Sequence, residues 1–399
     1  MSAPARYAAV FLMALPLAGC GDEGPPSDTR AYVERLGRDT TALEVFTRAD
    51  DRIDGTLVIR SPITQVIRYG ALLNPDGSVR RLETAWTTPD ANPEGPPARY
   101  QIVEIEGDTA IVAAGESLES LETERIEVPE RTLPVTGRVQ LSAALFEQAA
   151  RLARADGGER YDFNVLRTGS RRPTAPNAIT ARTADSVSID FFGNPMLAAL
   201  DEDGRILGIT GRETTLKIEV ERADPAAIDI EAMAAEFAAR DARGSGFGQA
   251  SPRDGVEATV EGAALTVDYG RPSKRGREIF GGLVPWNEVW RTGANAATHF
   301  TSDGNLLIDG HTLPAGTYTL WTTYTPEGGE LIISSLTDVW GTQYDPESDV
   351  IRVPMKSETL DESVEQFTFE VEPSERGGGV LALSWDTNRY TVPFEVVRR

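Results

Sequence analysis

The stretch YGALLNPDGSVRRLETAW, residues 69–86, decides the fold class of the first half of the chain. Its two apolar-rich arms flank Asn74-Pro75-Asp76-Gly77, a strong turn signal, so the stretch predicts a β-hairpin. Similar patterns predict strands or hairpins at residues 101–114, 186–192 and 196–216. A series of hairpins of this kind is typical of an antiparallel sheet.

Two segments change from the period of a strand to that of a helix. In residues 140–154, apolar side chains recur every three or four positions at Leu141, Leu145, Ala149 and Leu152. Residues 229–243 predict a second helix with Asp229 as its N-cap. We expect the first helix to pack across one face of the sheet and bury its apolar side. Curved sheets that hold a helix occur in lipid-handling and lipoprotein-carrier proteins, so a lipid or hydrophobe carrier with a cavity under this helix is one hypothesis.

The second half of the chain predicts strands only. Residues 243–255 contain GSGFGQASPRDG, a linker composition. Apolar runs about ten residues apart then follow, separated by turn residues, which favours an all-β sandwich or barrel. The last four runs predict short strands at 350–353, 367–371, 380–385 and 390–396. The sequence therefore predicts a mainly β protein with these parts: signal peptide 1–19, lipidated cysteine and tether 20–29, N-terminal antiparallel-sheet domain with helices (α+β) 30–242, linker 243–255, and C-terminal β domain 256–399.

The N-terminal residues predict export and a lipid anchor. Residues 8–17 form an apolar run that is too short to span a bilayer. Leu17-Ala18-Gly19-Cys20 follows and resembles a bacterial lipobox, in which Cys20 is lipidated after cleavage. Cys20 is the only cysteine of the chain, so an internal disulfide is excluded. We expect a lipoprotein of the bacterial cell envelope, periplasmic or at the outer membrane, held to the membrane by its lipid.

Composition narrows the classes of function. The net charge of −23 argues against nucleic acid as a partner. The only histidines are His299 and His311, which excludes a histidine-rich metal site, and we expect neither a metal nor a cofactor. The usual motifs of nucleophilic, phosphate-binding and zinc enzymes do not occur in the sequence. No catalytic residue is therefore predicted.

One segment stands out from the acidic background. Residues 271–291, RPSKRGREIFGGLVPWNEVWR, carry five basic and two acidic residues together with Trp286 and Trp290. Guanidinium groups bind carboxylates and phosphates through paired donors, and indole rings stack on sugars. The candidate ligand-binding residues are Arg271, Arg277, Trp286, Trp290, Arg291, Asn295 and His299.

The same segment resembles a known bacterial family. VDYGRPS at 267–273, IFGGLVP at 279–285 and WRTGANAA at 290–297, with Leu313-Pro314-Ala315-Gly316 and Trp340-Gly341 beyond them, are similar to domain of unknown function 2911. The resemblance covers about residues 256–397. It implies a small β-rich domain of exported bacterial proteins and no established activity.

Two interpretations of this segment remain open. In the first, the arginines and tryptophans line a pocket for an anionic or carbohydrate ligand of the envelope. In the second, Trp290 lies in the core, Arg291 pairs with an acid such as Asp268, and Gly281-Gly282 forms a tight turn. The first interpretation predicts a non-catalytic binding or scaffolding lipoprotein. The alternatives are the lipid carrier and a hydrolase or isomerase that uses a carboxylate with His299 or an arginine.

Overall fold

The structure of the protein is a computed structural model that describes residues 28–136, 142–170, 172–191 and 193–397. It divides into two compact units, one ending at Gly248 and the other beginning at Gln249. The predicted signal peptide, Cys20, most of the tether and Leu141 of the first helix lie outside the described residues. Along the described ranges, no helix combines the length and apolar character needed to cross a membrane.

The N-terminal unit is built on one long sheet. Within its described residues, fifteen strands pair in the order β8-β7-β6-β5-β4-β3-β2-β1-β15-β14-β13-β12-β11-β10-β9. Neighbours are antiparallel except β9 and β10, which pair in parallel. The strands are β1 (Thr29–Leu36), β2 (Asp39–Arg48), β3 (Arg52–Ile59), β4 (Gln65–Leu73), β5 (Val79–Thr87), β6 (Arg99–Glu106), β7 (Thr109–Gly115), β8 (Glu122–Glu127), β9 (Thr132–Pro134), β10 (Arg160–Leu166), β11 (Thr174–Thr183), β12 (Ser186–Phe191), β13 (Asn194–Leu200), β14 (Ile206–Thr210) and β15 (Ile218–Ala223).

The hairpins predicted from turn residues are confirmed. Strands β4 and β5 pair around the turn at residues 74–78, where Gly77 has a φ of +86°. Strands β6 and β7 turn at Gly107, with a φ of +62°. Glycine adopts these left-handed conformations without the steric cost that a Cβ would impose.

The first predicted helix packs on the inner face of this sheet. Helix α1 (Ala143–Asp156) is capped by the Ser142 side chain and ends at Gly157, whose φ is +76°. Its first eight residues are buried, including the charged Glu147 and the polar Gln148. Next to its N-terminus, one cavity between helix and sheet measures only about 10 Å³, about the volume that one water molecule requires. That cavity is far too small for a lipid.

The second predicted helix packs on the opposite face of the sheet. Helix α2 (Ile230–Ala242) begins at the N-cap Asp229, as expected, and follows a short 3₁₀ helix (Pro225–Ala227). Phe237 and Ala234 contact Val33, Leu43 and Val58 in a small apolar cluster. Strands β1 to β4 are consequently covered on both faces.

The C-terminal unit is all β, as predicted. Its described strands pair in the order β16-β17-β19-β22-β23-β24-β25-β20-β21, with β18 on β22, and are accompanied by a 3₁₀ helix (Pro346–Ser348). The strands are β16 (Arg253–Val260), β17 (Ala263–Gly270), β18 (Val289–Trp290), β19 (Thr298–Ser302), β20 (Leu306–Ile308), β21 (His311–Leu313), β22 (Gly316–Thr325), β23 (Gly328–Ser334), β24 (Asp349–Pro373) and β25 (Gly379–Val396).

Two details differ from the sequence-based expectation. The four short strands expected at 350–353, 367–371, 380–385 and 390–396 are parts of two long strands, β24 and β25. The polar run from Lys356 to Glu365 hides this continuity, because it breaks the alternation of apolar residues while the strand continues through register shifts. In addition, residues 253–255 of the expected linker already belong to β16.

The faces of this sheet differ in character. Strand β24 pairs with β23 over its first part and with β25 over its remainder, and all three contribute to one core. That core holds Trp290, Tyr324 and Trp385. On the opposite face of β22 and β23, a smaller cluster forms around Trp321 and Ile332, covered by residues 335–345. We call residues 335–345 the covering loop.

Candidate binding site on the C-terminal unit

The seven candidate residues do not gather in one pocket. Trp290 lies in β18 with its side chain in the core, 8% exposed, packed edge-on to Phe367 with ring centroids 5.2 Å apart. Arg291 directly follows this two-residue strand, and its side chain packs against Gly341 of the covering loop. The indole of Trp290 and the guanidinium of Arg291 therefore do not line one pocket.

Trp286 belongs to the packing of the same core. Its ring lies nearly parallel to that of Phe280, with centroids 6.1 Å apart, and it is half-buried. Gly281, at a φ of +87°, forms the predicted tight turn beside it, where a Cβ would be 2.4 Å from the Trp286 Nε1. This close approach explains why a glycine occupies position 281.

Arg271 and Arg277 are already engaged within the unit. The Nη1 of Arg271 is 3.0 Å from the Asp254 carboxylate, and its Nη2 donates to the Thr368 hydroxyl at 3.1 Å. The Nε of Arg277 donates to the Lys274 carbonyl at 3.0 Å. These two arginines stabilise their own loop and strand, and they do not form a three-arginine clamp with Arg291.

One interpretation expected Asp268 to pair with Arg291, and the structure shows that it does not. Its carboxylate accepts two hydrogen bonds from Arg253, at 2.7 Å from Nε and 2.9 Å from Nη2. The same Nη2 lies 3.4 Å from the Nδ1 of His299. Arg253 begins strand β16, next to the β17 strand that carries Asp268, so the sheet register brings this ion pair together.

His299 is placed among polar groups on the outer face. Its Nε2 is 3.3 Å from the backbone N–H of Asp338, a residue with a φ of +57° in the covering loop. The Asp338 carboxylate lies farther away, at 4.0 Å. Across the described ranges, no group of three or more histidine, cysteine or acidic side chains could hold a metal ion. The other histidine, His311, is exposed in β21.

Arg291 lies under the covering loop. The loop docks on residues 295–297 through two backbone hydrogen bonds: Gly341 N–H to the Asn295 carbonyl at 2.9 Å, and Ala297 N–H to the Val339 carbonyl at 3.1 Å. A Cβ at Gly341 would be 2.4 Å from the Cδ of Arg291 and 2.6 Å from the Asn295 oxygen. Glycine at 341 is thus required for the loop to pack on the arginine.

The guanidinium of Arg291 has no hydrogen bond or ion pair with any residue that the structure describes, and its Nε is buried without an acceptor. Burial lowers its pKa, and no neighbouring anion opposes this shift. Leaving a desolvated charge unpaired is costly, so such a group is a natural partner for an anion. Because only the Nε is both buried and unsatisfied, the two Nη groups reach the surface and can donate to a ligand.

The covering loop also carries an exposed aromatic residue. Trp340 precedes Gly341, and 52% of its surface is exposed, the largest fraction among the large apolar residues of the described chain. Its backbone is fixed by a β-bridge to Ala296 and by a hydrogen bond from its N–H to the Gln343 side chain at 2.8 Å. Asn295 is also exposed here, and its side-chain amide is 3.4 Å from the Ser251 carbonyl.

The candidate site is therefore Arg291, Trp340 and Asn295 around Gly341, with His299 and Arg253 beside them. Sequence reasoning found Arg291, Asn295 and His299 but missed Arg253 and Trp340. Trp340-Gly341 does stand among the residues that carry the family resemblance. Its exposure, however, follows from how the covering loop docks, which residue types alone do not reveal.

Comparison with known proteins supports the resemblance of the C-terminal region. Residues 251–394 match the family described as "Protein of unknown function (DUF2911)". No curated protein matches the sequence of this chain. Two solved structures are similar: a DUF1089 family protein from Pseudomonas aeruginosa (12% identity, TM-score 0.31, covering 43% of this chain and 90% of that chain) and a β-barrel-like protein of domain of unknown function DUF1849 from Brucella abortus (10% identity, TM-score 0.33, covering 49% and 95%).

Proposed function

We propose that this protein is a lipid-anchored binding protein of the bacterial envelope whose C-terminal unit takes a carboxylate-bearing glycan at Arg291. The observation that carries the proposal is the unpaired, half-buried guanidinium of Arg291. On this face of the described sheet, Arg253 pairs with Asp268 and Arg352 pairs with Asp349, whereas Arg291 has no acidic partner.

The neighbouring groups favour a sugar as the carrier of the anion. Trp340 is exposed in the loop that covers the arginine, and an aromatic face of this kind packs against a sugar ring. The Asn295 side chain is exposed nearby and can hydrogen-bond hydroxyl groups. A carboxylate would accept the paired donors of the guanidinium, and the ring would lie on the indole.

The arrangement favours binding over catalysis. His299 faces Arg253 and a backbone N–H, and the nearest oxygen of the Asp338 carboxylate is 4.0 Å from its Nε2. The Asp338 carboxylate is thus beyond hydrogen-bonding distance of His299 in this structure. The anchor at Cys20 supplies the envelope location in this proposal.

Binding is tested by calorimetry with the full chain against muropeptides and oligogalacturonate, with the neutral oligosaccharide of equal length as the ligand control. We expect the acidic glycan to bind and Arg291→Gln to weaken it by about tenfold or more, as the loss of a charge-assisted pair predicts. Arg389→Gln is the matched control, because that guanidinium already pairs with Glu372 at 2.6 Å. Equal affinity of the Arg291 and Arg389 variants would refute the proposal.

A further inference from the structure

The long sheet of the N-terminal unit curls without closing. Its first strand in pairing order is β8 and its last is β9, and within the described residues these two do not pair with each other. Strand β9 instead lies against β5, in the middle of the first half of the sheet. The line along which β5 and β6 face β9 and β10 is called the seam here.

A cavity of about 460 Å³ opens at this seam. Volumes of about 300–1,000 Å³ are usual for sites that bind small molecules. One wall is apolar and includes Ile59, Trp86, Val135 and Leu166. Trp86 and Val135 pack on the apolar core between α1 and the sheet, whereas Leu166 belongs to a separate cluster with Val103 and Val112. The cavity therefore lies between two apolar clusters.

The other end of the cavity is polar and carries a positive charge. Gln101 bridges the seam, accepting at its Oε1 from the Thr168 hydroxyl at 2.7 Å and from Arg99 at 3.3 Å. Arg99 and Arg167 line this end together with one acid, Glu116. Arg99 is exposed, and its partner Gln101 is neutral. The charges therefore favour an anionic head, and the apolar wall favours a hydrocarbon tail.

We propose that the seam cavity binds a long-chain fatty acid, with its alkyl chain against Trp86 and Leu166 and its carboxylate at Arg99. This site is separate from the cavity of about 10 Å³ beside the N-terminus of α1. Burial of the alkyl chain supplies the affinity, since each methylene removed from water is worth about 0.8 kcal/mol. The proposal concerns the N-terminal unit and does not depend on the function proposed for Arg291.

The test is equilibrium binding of a dansyl-labelled fatty acid to the full chain, with displacement by palmitate or by hexadecanol. Contact with Trp86, the only tryptophan before residue 286, is read from fluorescence quenching by dibrominated stearate. We expect saturable binding at one site. Dibrominated stearate should quench more fluorescence in the wild type than in Trp86→Phe, because only the wild type has a tryptophan at the seam.

Two variants and one control separate the cavity from non-specific binding. Ala98→Trp fills the mouth at a half-buried position and should weaken palmitate about tenfold or more. Arg99→Gln should weaken the binding of palmitate but leave the binding of hexadecanol unchanged. Arg80→Gln, at an exposed position of β5 that does not line the cavity, should change neither.

Absence of saturable binding would overturn the proposal, as would unchanged binding by a folded Ala98→Trp variant. Equal weakening of palmitate and hexadecanol by Arg99→Gln would overturn the assignment of the carboxylate. Loss of binding in the Arg291→Gln variant would also contradict it, because that residue lies in the other unit.

Discussion

Gly341 lies so close to Arg291 that a single methyl group at position 341 would be 2.4 Å from the arginine Cδ. The contact fixes the covering loop over an arginine that has no partner among the described residues. The loop, the exposed Trp340 and the guanidinium are thus parts of one arrangement. Any ligand that binds the arginine meets the loop as well.

The first prediction concerns Gly341→Ala. The added Cβ would also be 2.6 Å from the Asn295 carbonyl, so the loop must move away from residues 295–297. We expect a loss of about 1–3 kcal/mol in the free energy of unfolding of the C-terminal unit, as for overpacking elsewhere, and weaker glycan binding. Urea unfolding followed by tryptophan fluorescence measures the stability. Gly328→Ala is the control, because no atom lies within 4 Å of its added Cβ. Equal stability of the two variants would show that the contact is not tight.

The second prediction concerns the buried Glu34 of the N-terminal unit. Burial raises its pKa from 4.5 to about 7, the Thr41 hydroxyl opposes this effect, and the nearby Glu44 adds to it. The folded state therefore holds the proton more tightly than the unfolded state. The stability that this contributes is complete below about pH 4.5 and is lost as the pH rises through about 7.

Glu34→Gln cannot ionise, so it should remove this pH dependence. The shift corresponds to roughly 3 kcal/mol, so the wild type should lose about that much more stability than the variant between pH 4.5 and pH 8. Urea unfolding across this range measures the difference, with the exposed Glu106→Gln as the control. Parallel curves for the wild type and Glu34→Gln would contradict the prediction.

The third prediction concerns Glu44, which stabilises the start of α1. Its carboxylate accepts from the Tyr69 and Ser142 hydroxyls, each at 2.7 Å, and from the first backbone N–H groups of the helix. Glu44→Ala leaves these buried donors without an acceptor. We expect a loss of about 3–5 kcal/mol in the free energy of unfolding, because each buried donor left without an acceptor costs about 1–3 kcal/mol.

The control for Glu44 is Glu221→Ala. Glu221 is 68% exposed, and its oxygen is 3.9 Å from Arg35, so its removal should cost less than about 1 kcal/mol. Urea unfolding of both variants gives the comparison. A similar small effect for both would mean that Glu44 is not needed to hold the helix.

The fourth prediction concerns the anchor. If Cys20 is lipidated, wild-type protein should incorporate a labelled acyl chain and sediment with membranes. Cys20→Ser should lose the label and leave the membrane fraction. Labelling that persists in the variant would contradict the lipobox assignment.

The fold could be predicted from the sequence where the signals are local. Turn residues such as Asn74 to Gly77 indicate which strands pair, and the apolar spacing of Leu145, Ala149 and Leu152 indicates α1. The long strand β24 was not predicted as one strand, because its polar stretch carries no alternation and its pairing with β25 depends on residues distant in the chain.

The candidate site could be predicted only in part. Trp290 lies in the core, whereas Arg291 packs against the covering loop, and nothing in their residue types distinguishes these two positions. The choice of Arg253 as the partner of Asp268 depends on the register of β16 and β17. The exposure of Trp340 depends on a loop that docks through backbone hydrogen bonds. Neither is encoded in residue types near Arg291.

We propose that the guanidinium of Arg291, which has no partner among the described residues, binds a carboxylate. The most direct test of this binding follows the Nε–Hε signal of Arg291 by nuclear magnetic resonance during titration with oligogalacturonate. The signal is assigned by its absence from the spectrum of Arg291→Lys. We predict a signal protected by burial that shifts and saturates with the acidic glycan and not with the neutral one. A signal that stays unmoved at saturating acidic glycan, or that moves equally with the neutral one, would contradict the account.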